Sequence, residues 1–264
     1  DMDFLQVSGK TFLVTGVANK KSVAFFVAKG LVENGAQVIF SVQNEENKDR
    51  AQKLFPDSTV LICDVEKTGS INRLGEYFKN HNIKLAGFVH SIAFANYSEG
   101  LKPFHETKPE DFLQAANISC FSLVAVANAL KNSFENDASI VTISISNTRA
   151  TAYGYMGPIK AALDATVAFL AKSLSEMSKV RVNAVCAGPL KTSASAGIPG
   201  YVNNYLFAEQ LTLRKAALKT EEVANTVLFL LSPVSGGINA TGIVVDAGMS
   251  CNYFDQDVVN KAMR

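Results

Sequence analysis

Cysteine and histidine are scarce in this sequence, and they do not occur at the spacings that metal sites use. Among 264 residues there are four cysteines and three histidines. No Cys-x-x-Cys pair occurs, and the widely separated set is Cys63, Cys120, Cys186, Cys251, His81, His90 and His105. This distribution favours free thiols in a reducing compartment over disulfides or a metal centre. We therefore expect no metal site.

Long apolar runs and basic clusters are also missing. No apolar run approaches the roughly 18–20 residues of a transmembrane helix, and the opening DMDFLQVSGK lacks the charged-then-apolar layout of a secretion signal. The formal net charge is +1, and no run of lysine or arginine exceeds two residues. Nucleic acids and anionic membranes select basic patches. We expect a cytoplasmic protein that binds neither.

Three patterns that mark other chemistries are absent as well. The sequence has no GxSxG, no HExxH and no GxxxxGK[ST]. These patterns belong to the serine-hydrolase elbow, the zinc-protease helix and the phosphate-binding P-loop. Nothing in the sequence supports any of the three.

The sequence does contain a regular alternation of short apolar runs with amphipathic segments. Most of the runs are continuously apolar, as parallel strands covered on both faces require. In the segments between them, apolar residues recur three and four apart, as at Leu123, Val126, Leu130 and Phe134. The pattern predicts a single α/β domain over residues 1–264, a doubly wound (Rossmann-type) sheet of seven parallel strands. The strands are predicted at 10–15, 36–41, 59–63, 85–90, 139–145, 180–186 and 241–246.

The turn after the first predicted strand has some features of a dinucleotide site. A cofactor pyrophosphate needs close approach to backbone N–H groups at a helix N-terminus. In TGVANKKSVA, Gly16 supplies a flexible position, Ser22 can cap the helix, and Ala24 allows close helix–strand packing. The GxGxxG fingerprint is nevertheless absent, so an ordinary strand–turn–helix connection is about as compatible with these residues.

The ends of the next three predicted strands are also informative. Gln43 follows the second strand where a 2′-phosphate would favour a base, and the first bases are Lys48 and Arg50. This favours NADH over NADPH, although the nearby charges are equally typical of a solvated loop. Asp64 could accept from an adenine amino group, with Val65 on the ring. The small or apolar stretch 91–93 could run beneath a ribose and nicotinamide, but both segments are also compatible with plain turns.

The stretch AYGYMGPIK raises the question of a catalytic pair. Pro158 fits the first turn of a helix, which places Lys160 early in that helix. Tyr153 lies on an approach segment loosened by Gly154 and Gly157. A phenol there could donate a hydrogen bond to a substrate oxygen that gains charge during hydride transfer, and an adjacent ammonium would lower the phenol pKa. Spacing alone favours a structural tyrosine and a solvated lysine, and the catalytic interpretation needs the context of the other motifs.

Taken together and in order, the motifs resemble a known family. They are GKTFLVTGVANKKSVA, QNEE, CDV, GFVHSIAFA, YGYMGPIKAAL, VRVNAVCAGPLKT and VVDAG. The chain resembles the short-chain dehydrogenase/reductase superfamily, and most closely its divergent branch of NADH-dependent enoyl-[acyl-carrier-protein] reductases of bacterial fatty-acid synthesis. Tyr-x6-Lys and a glycine-poor first turn are marks of that branch. The resemblance covers nearly the whole chain.

The resemblance implies an enzyme that uses NADH, an acyl thioester on acyl carrier protein as substrate, and a homotetramer. Tyr153 would bond the thioester carbonyl, Lys160 would hold the ribose, and Ala95 would touch substrate. Residues 192–218, the least regular region, would cover the substrate. Within that segment, an apolar tunnel or a plain surface lid would be formed by Ile198, Tyr201, Tyr205, Leu206 and Phe207. The residues implied to bind cofactor are Gly16, Ser22, Val23, Gln43, Asp64, Val65, Ser91, Ile92, Lys160, Leu190 and Thr192.

One departure from the family keeps alternatives open. The family commonly carries a second active-site tyrosine just after the fifth strand, where this chain has Ile145. Ser144, Ser146 or Asn147 could supply a hydroxyl or an amide there, and Ile145 itself is typical of a plain strand-end residue. A short-chain carbonyl reductase acting on a 3-oxoacyl or other ketone substrate is therefore an alternative. A non-catalytic NADH-binding regulatory protein is another, although the intact Tyr153 and Lys160 argue against it.

Overall fold

The computed structural model describes residues 3–264, without the side chains of residues 193 and 194. Seven parallel strands form one sheet in the order β3-β2-β1-β4-β5-β6-β7, as the sequence predicts. The order reverses between β1 and β4, which leaves a crevice at the carboxyl ends of these strands. The strands are β1 (Thr11–Thr15), β2 (Gln37–Val42), β3 (Val60–Ile62), β4 (Leu85–His90), β5 (Phe134–Ile145), β6 (Arg181–Ala187) and β7 (Gly242–Val245).

Helices cover both faces of the sheet. One face packs against α1 and α9 through residues such as Val27 and Val227. The other packs against α3, α5 and α6 through Leu74, Leu123 and Leu163. The helices are α1 (Val23–Glu33), α2 (Glu45–Leu54), α3 (Thr68–Asn80), α4 (Pro109–Ala116), α5 (Ser122–Leu130), α6 (Met156–Ser175), α7 (Ser193–Ala196), α8 (Tyr201–Leu211), α9 (Thr220–Leu231) and α10 (Gln256–Ala262).

Two expectations about elements are wrong. Phe134 does not continue the α5 stripe but begins β5, where it pairs with Leu85 before a register shift brings Ser139 opposite Gly87. The region 192–218 is not irregular either, because the helices α7 and α8 together take up 15 of its 27 residues. In both cases packing against neighbouring elements overrides a local pattern.

One helical stretch combines α4, a π-helical segment at Asn117–Phe121 and α5. Within the described chain, this stretch at Pro109–Leu130 is the one helix long and apolar enough to cross a membrane by composition. In its most apolar window 44% of residues are buried inside the fold. A core helix of a globular protein meets the same criteria of length and composition.

Candidate active site

A cavity of about 810 Å³ lies at the carboxyl ends of the strands. It extends from the β1–α1 turn, across the ends of β2 to β6, to the beginning of α8. The cavity is lined by every residue that the resemblance makes catalytic, cofactor-binding or in touch with substrate, namely Gly16, Ser22, Val23, Gln43, Asp64, Val65, Ser91, Ile92, Ala95, Tyr153, Lys160, Leu190 and Thr192. The topology therefore brings together residues that are spread over most of the chain.

The β1–α1 turn is pressed against the end of β4. Gly16 has a φ of +77°, and a Cβ built on it would lie 1.7 Å from the carbonyl oxygen of Ser91. The Thr15 hydroxyl ties the same two segments by donating to Val89 O at 2.8 Å and accepting from Ser91 N at 3.1 Å. Only glycine fits at residue 16, and its missing side chain leaves the backbone open to the cavity.

The N-terminus of α1 lies beside the open backbone at Gly16, and we call this pair of features the Gly16 cradle. Ser22 is buried, and its Oγ accepts a hydrogen bond from Phe25 N at 3.2 Å and donates one to Asn19 O at 2.9 Å. The hydroxyl is thus already used as a helix cap. Free N–H groups of the first helical turn and the bare backbone at Gly16 fit a pyrophosphate, so these residues suit a dinucleotide.

The far end of the cavity, at the ends of β2 and β3, is polar but lacks positive charge. It is lined by Ser41, Gln43, Asn47, Asp64 and Glu66. Among all described residues that line the cavity, Lys160 is the one cation, and it lies on α6. Arg50 instead pairs with Glu46 on the surface of α2. This end therefore offers hydrogen bonds to ribose hydroxyls and no counter-ion for a 2′-phosphate.

Tyr153 and Lys160 meet the cavity at the end of β5. Tyr153 lies in a short 3₁₀ turn (Thr151–Tyr153), and Lys160 lies in the second turn of α6, where it is buried. The Lys160 ammonium donates to Ile143 O at 2.8 Å. Burial lowers the pKa of Lys160 to about 8, against the opposing charge of Asp164. A cation therefore persists in the cavity at neutral pH.

The expectation that the ammonium lowers the phenol pKa is wrong. Burial raises the pKa of Tyr153, and no other group shifts it. The Lys160 ammonium is directed at the Ile143 carbonyl, so desolvation of the phenol dominates. The phenol consequently stays protonated at neutral pH and can act as a hydrogen-bond donor.

At the end of β5, where this chain has Ile145 in place of a second tyrosine, the structure shows which residues line the cavity. Ile143, Ser144 and Ile145 line the cavity, whereas Ser146 and Asn147 are not among the described residues that do so. Ser144 is 2% exposed. Of the three candidates named from the sequence, Ser144 is the one whose polar group lies at the cavity wall.

The segment 192–218 forms only part of the cavity wall that the sequence analysis predicts for it. Ile198 and Tyr201 line the cavity, but Leu206 and Phe207 are 48% and 51% exposed on the outside of α8. Tyr205 faces a small neighbouring pocket. The Tyr201 hydroxyl accepts from Leu190 N and donates to Leu190 O, both at 2.8 Å, which fastens α8 to the loop after β6.

Several lining residues escaped the sequence reasoning. Gln114 and Ile118 reach the cavity from α4 and the π-helical segment, and no local motif marks them. Tyr97 also lines it, two residues beyond Ala95. Burial, then the neighbouring Tyr155, raises the pKa of Tyr97 to about 12. Its position in the stretch that follows GFVHSIAFA was the one available signal.

Comparison with known proteins gives a consistent result. The family model described as Enoyl-(Acyl carrier protein) reductase matches residues 16–250. The chain is 38% identical, over 249 residues, to the enoyl-[acyl-carrier-protein] reductase [NADH] of Enterococcus faecalis, covering 93% of this chain and 98% of that relative. It is 34% identical, over 251 residues, to the corresponding Staphylococcus aureus enzyme, which uses NADPH, covering 92% and 98%.

Solved structures agree with the sequence relatives. The Bacillus cereus enoyl-acyl carrier protein reductase, in complex with NADP+ and indole naphthyridinone, superposes with a TM-score of 0.87 at 34% identity. The superposition covers 92% of this chain and 96% of that one.

Proposed function

The chain belongs to the enoyl-(acyl carrier protein) reductase family, and on this premise we propose how its site works. The reaction is reduction of the trans-2 double bond of an enoyl thioester in fatty-acid elongation, with NADH as the reductant. The single observation that carries this proposal is the convergence of Tyr153, Lys160 and the Gly16 cradle on one cavity. A reducing cofactor and a hydrogen-bond donor for the substrate carbonyl can then occupy the same space.

Bound NADH supplies the hydride that reaches the β-carbon of the enoyl group. The protein supplies the charge stabilisation. Tyr153 donates a hydrogen bond to the thioester carbonyl oxygen, which becomes negative as the enolate forms. Because burial keeps the phenol protonated, it can then give up its proton as a general acid.

Lys160 has two roles in this proposal. Its ammonium adds positive charge beside the developing enolate, and it holds the ribose hydroxyls of the cofactor. Pyrophosphate contacts belong to Gly16, Ser22 and Val23, and carboxamide contacts to Leu190 and Thr192. Adenosine contacts belong to Gln43, Asp64 and Val65, while Ser91 and Ile92 contact ribose and nicotinamide.

The substrate side follows from the same cavity. Ala95, Ile198 and Tyr201 give its wall an apolar stretch suited to an acyl chain, with the segment 192–218 as its cover. The thioester is carried on acyl carrier protein. We place the reaction in the cytoplasm, and no nucleic acid or membrane takes part.

A homotetramer is supported by two separate apolar surfaces. On the first, formed by α4 to α6, Leu113, Phe121 and Phe169 are 67%, 56% and 80% exposed. The second is the unpaired edge of β7, where Val244 is 52% exposed. Exposed apolar patches of this kind mark protein interfaces, and a closed tetramer results when each of the two faces pairs with the same face of another copy.

A second candidate function is favoured by one observation. Ile145 takes the place of a phenol at the cavity wall, which leaves a ketone reductase of the wider superfamily as the alternative. The two functions need the same cofactor and differ in the bond that is reduced.

A spectrophotometric assay separates the candidates. The purified protein is mixed with NADH or NADPH and with either a crotonyl thioester or a 3-oxoacyl thioester. Oxidation of NADH with the crotonyl thioester supports the proposal, and activity with the 3-oxoacyl thioester alone supports the alternative. If NADH raises the melting temperature but neither thioester is reduced, the protein is a non-catalytic NADH binder.

A further inference from the structure

The phenol of Tyr97 has no role in the proposed mechanism, although Tyr97 lines the cavity. Its half-buried ring packs against the buried side chains of Met156 and Ile159. Within the described chain the Tyr97 hydroxyl makes no hydrogen bond, whereas the neighbouring Tyr155 donates one to Asn96 O at 3.3 Å. Phenols packed into a protein usually find a hydrogen-bond partner, so an unused one at a cavity wall suits a ligand.

The turn that carries Tyr97 is held in place on both sides. Asn96 Nδ2 donates to Asp111 Oδ1 at 3.0 Å, and Asn96 Oδ1 accepts from Ser98 N at 3.0 Å. Gly100 N donates to Tyr97 O at 2.9 Å. Because these bonds fix the backbone before and after Tyr97, its phenol is presented to a ligand with little further loss of conformational freedom.

Tyr97 lies at the border between two cavities. A small pocket of about 50 Å³, which we call the outer pocket, is lined by residues of the segment 96–108 together with Asp111, Gly154 and Tyr155. Of the described residues, Tyr97 is the one that lines both the outer pocket and the main cavity. A ligand that extends from the main cavity to the surface on this side therefore passes the Tyr97 phenol.

The charges of the outer pocket favour a neutral ligand. Its two described cations, Lys102 and Lys108, both pair with Glu99, at 2.7 and 3.0 Å. Glu106 and Asp111 add negative charge. A phosphate or carboxylate would therefore find no unpaired cation among the described residues of this pocket. A neutral amide needs only a hydrogen-bond partner, which a phenol can provide.

The Tyr97 phenol lies apart from the phenol proposed to hold the thioester carbonyl. Tyr153 contributes to the raised pKa of Tyr201. It does not contribute to the pKa of Tyr97, which burial and then Tyr155 raise to about 12. Tyr97 is therefore protonated at neutral pH, and its hydroxyl is placed to donate to a part of the substrate other than the reacting carbonyl.

We propose that Tyr97 donates a hydrogen bond to an amide carbonyl of the pantetheine arm, which joins the thioester to its carrier. This inference rests on the proposed function. The acyl chain lies inside the cavity and the carrier protein is too large to enter, so the arm has to lead from the thioester to the surface. The amide groups of the arm are neutral hydrogen-bonding groups, and they match an unused phenol beside charges that are already paired.

Two thioesters of one acyl group separate this role from a role in the chemistry. Crotonyl-coenzyme A carries the pantetheine arm, and the crotonyl S-ethyl thioester lacks it. We expect Tyr97→Phe to lower kcat/KM for crotonyl-coenzyme A about three- to tenfold, mainly through KM, and to leave kcat/KM for the S-ethyl thioester within about twofold. Tyr77→Phe is the matched control, because Tyr77 is a half-buried tyrosine of α3 outside the described cavity lining. Equal losses with both thioesters, or no loss with crotonyl-coenzyme A, would overturn the proposal.

Binding provides a readout that does not depend on turnover. Crotonyl-coenzyme A is titrated calorimetrically into the protein with NAD+, which has no hydride to give. We expect Tyr97→Phe to raise Kd about three- to tenfold and Tyr77→Phe to leave it unchanged. An unchanged Kd in Tyr97→Phe would overturn this inference even if the enzyme is active. If the unsubstituted protein reduces neither thioester, the proposed function fails, and a raised Kd in Tyr97→Phe would leave the role in binding the arm standing.

Discussion

Two tyrosines two positions apart have different surroundings. Tyr153 lines the cavity, whereas Tyr155 packs beside Tyr97 at a ring distance of 6.3 Å and donates to Asn96 O at 3.3 Å. Burial raises the pKa of each, so both phenols are protonated at neutral pH. Position, and not acidity, distinguishes the catalytic candidate from the structural one.

Substitution of each tyrosine tests that distinction. Tyr153→Phe is expected to lower kcat by about 100-fold or more, because it removes the donor to the enolate oxygen, and to leave Kd for NADH within about twofold. Tyr155→Phe is the control and should keep most of the activity. Steady-state kinetics and fluorescence titration with NADH measure the two effects. Full activity in Tyr153→Phe would contradict the mechanism.

His90 sets a pH dependence of stability. It is 1% exposed, and burial lowers its pKa from 6.5 to about 3. The unfolded chain therefore binds a proton that the folded chain does not, so the free energy of unfolding decreases as pH falls below about 6.5. The expected slope is about 1.4 kcal/mol per pH unit.

Denaturant unfolding between about pH 6 and pH 5 measures this slope, in a range above the titration of most carboxylates. His90→Gln should flatten it, whatever its effect on stability at neutral pH. His105→Gln serves as the control, because the His105 side chain is 83% exposed. An equally steep slope in His90→Gln would show that another group is responsible.

At the scale of elements, the contact between the β1–α1 turn and the end of β4 organises the cofactor side of the cavity. Gly16→Ala places a methyl group within 1.7 Å of Ser91 O, so the two segments must separate. We expect NADH binding to be lost and the free energy of unfolding to fall by about 3 kcal/mol or more from strain and overpacking. Isothermal titration and denaturant unfolding measure these changes.

Gly100→Ala is the matched control. Gly100 has the same φ of +77°, but a Cβ there would have no described heavy atom within 4 Å. It should cost only the backbone strain of about 1–2 kcal/mol and leave NADH binding intact. If both variants behaved alike, the close approach to Ser91 would not matter for the site.

The sequence was sufficient for elements whose pattern is local. Continuous apolar runs located all seven strands within about two residues, except the start of β5, because Phe134 is equally apolar in a helix and in a strand. The helix α8 was missed because its sequence, YVNNYLFAEQL, has no regular apolar stripe and buries only Tyr201 and Ala208. Tertiary contacts, which a single sequence does not display, decide such cases.

The site shows the same division. Residues at strand ends were predictable because parallel strands bring their carboxyl ends to one edge. Gln114 and Ile118 were not predictable, because no sequence motif indicates the π-helical segment or the position of this helix beside the cavity.

At the scale of the whole molecule, assembly should depend on the face formed by α4 to α6. If the chain forms the proposed tetramer, Phe169→Asp is expected to convert it to dimers, because it places a charge where an apolar side chain that is 80% exposed in the protomer would be covered. Size-exclusion chromatography with light scattering measures the mass. Phe4→Asp is the control, since Phe4 is 64% exposed outside both proposed interfaces. A tetramer in Phe169→Asp would place the interface elsewhere.

The bond pair between the Tyr201 phenol and the backbone of Leu190 has a kinetic consequence. One hydroxyl satisfies both main-chain groups of Leu190, the residue proposed to contact the nicotinamide carboxamide. The same two hydrogen bonds therefore hold both α8, which covers the proposed acyl site, and the loop that contacts the coenzyme. Movement of α8 away from the cavity breaks both hydrogen bonds to Leu190. Departure of saturated product and exchange of spent coenzyme should therefore be coupled events, with the slower of them limiting turnover.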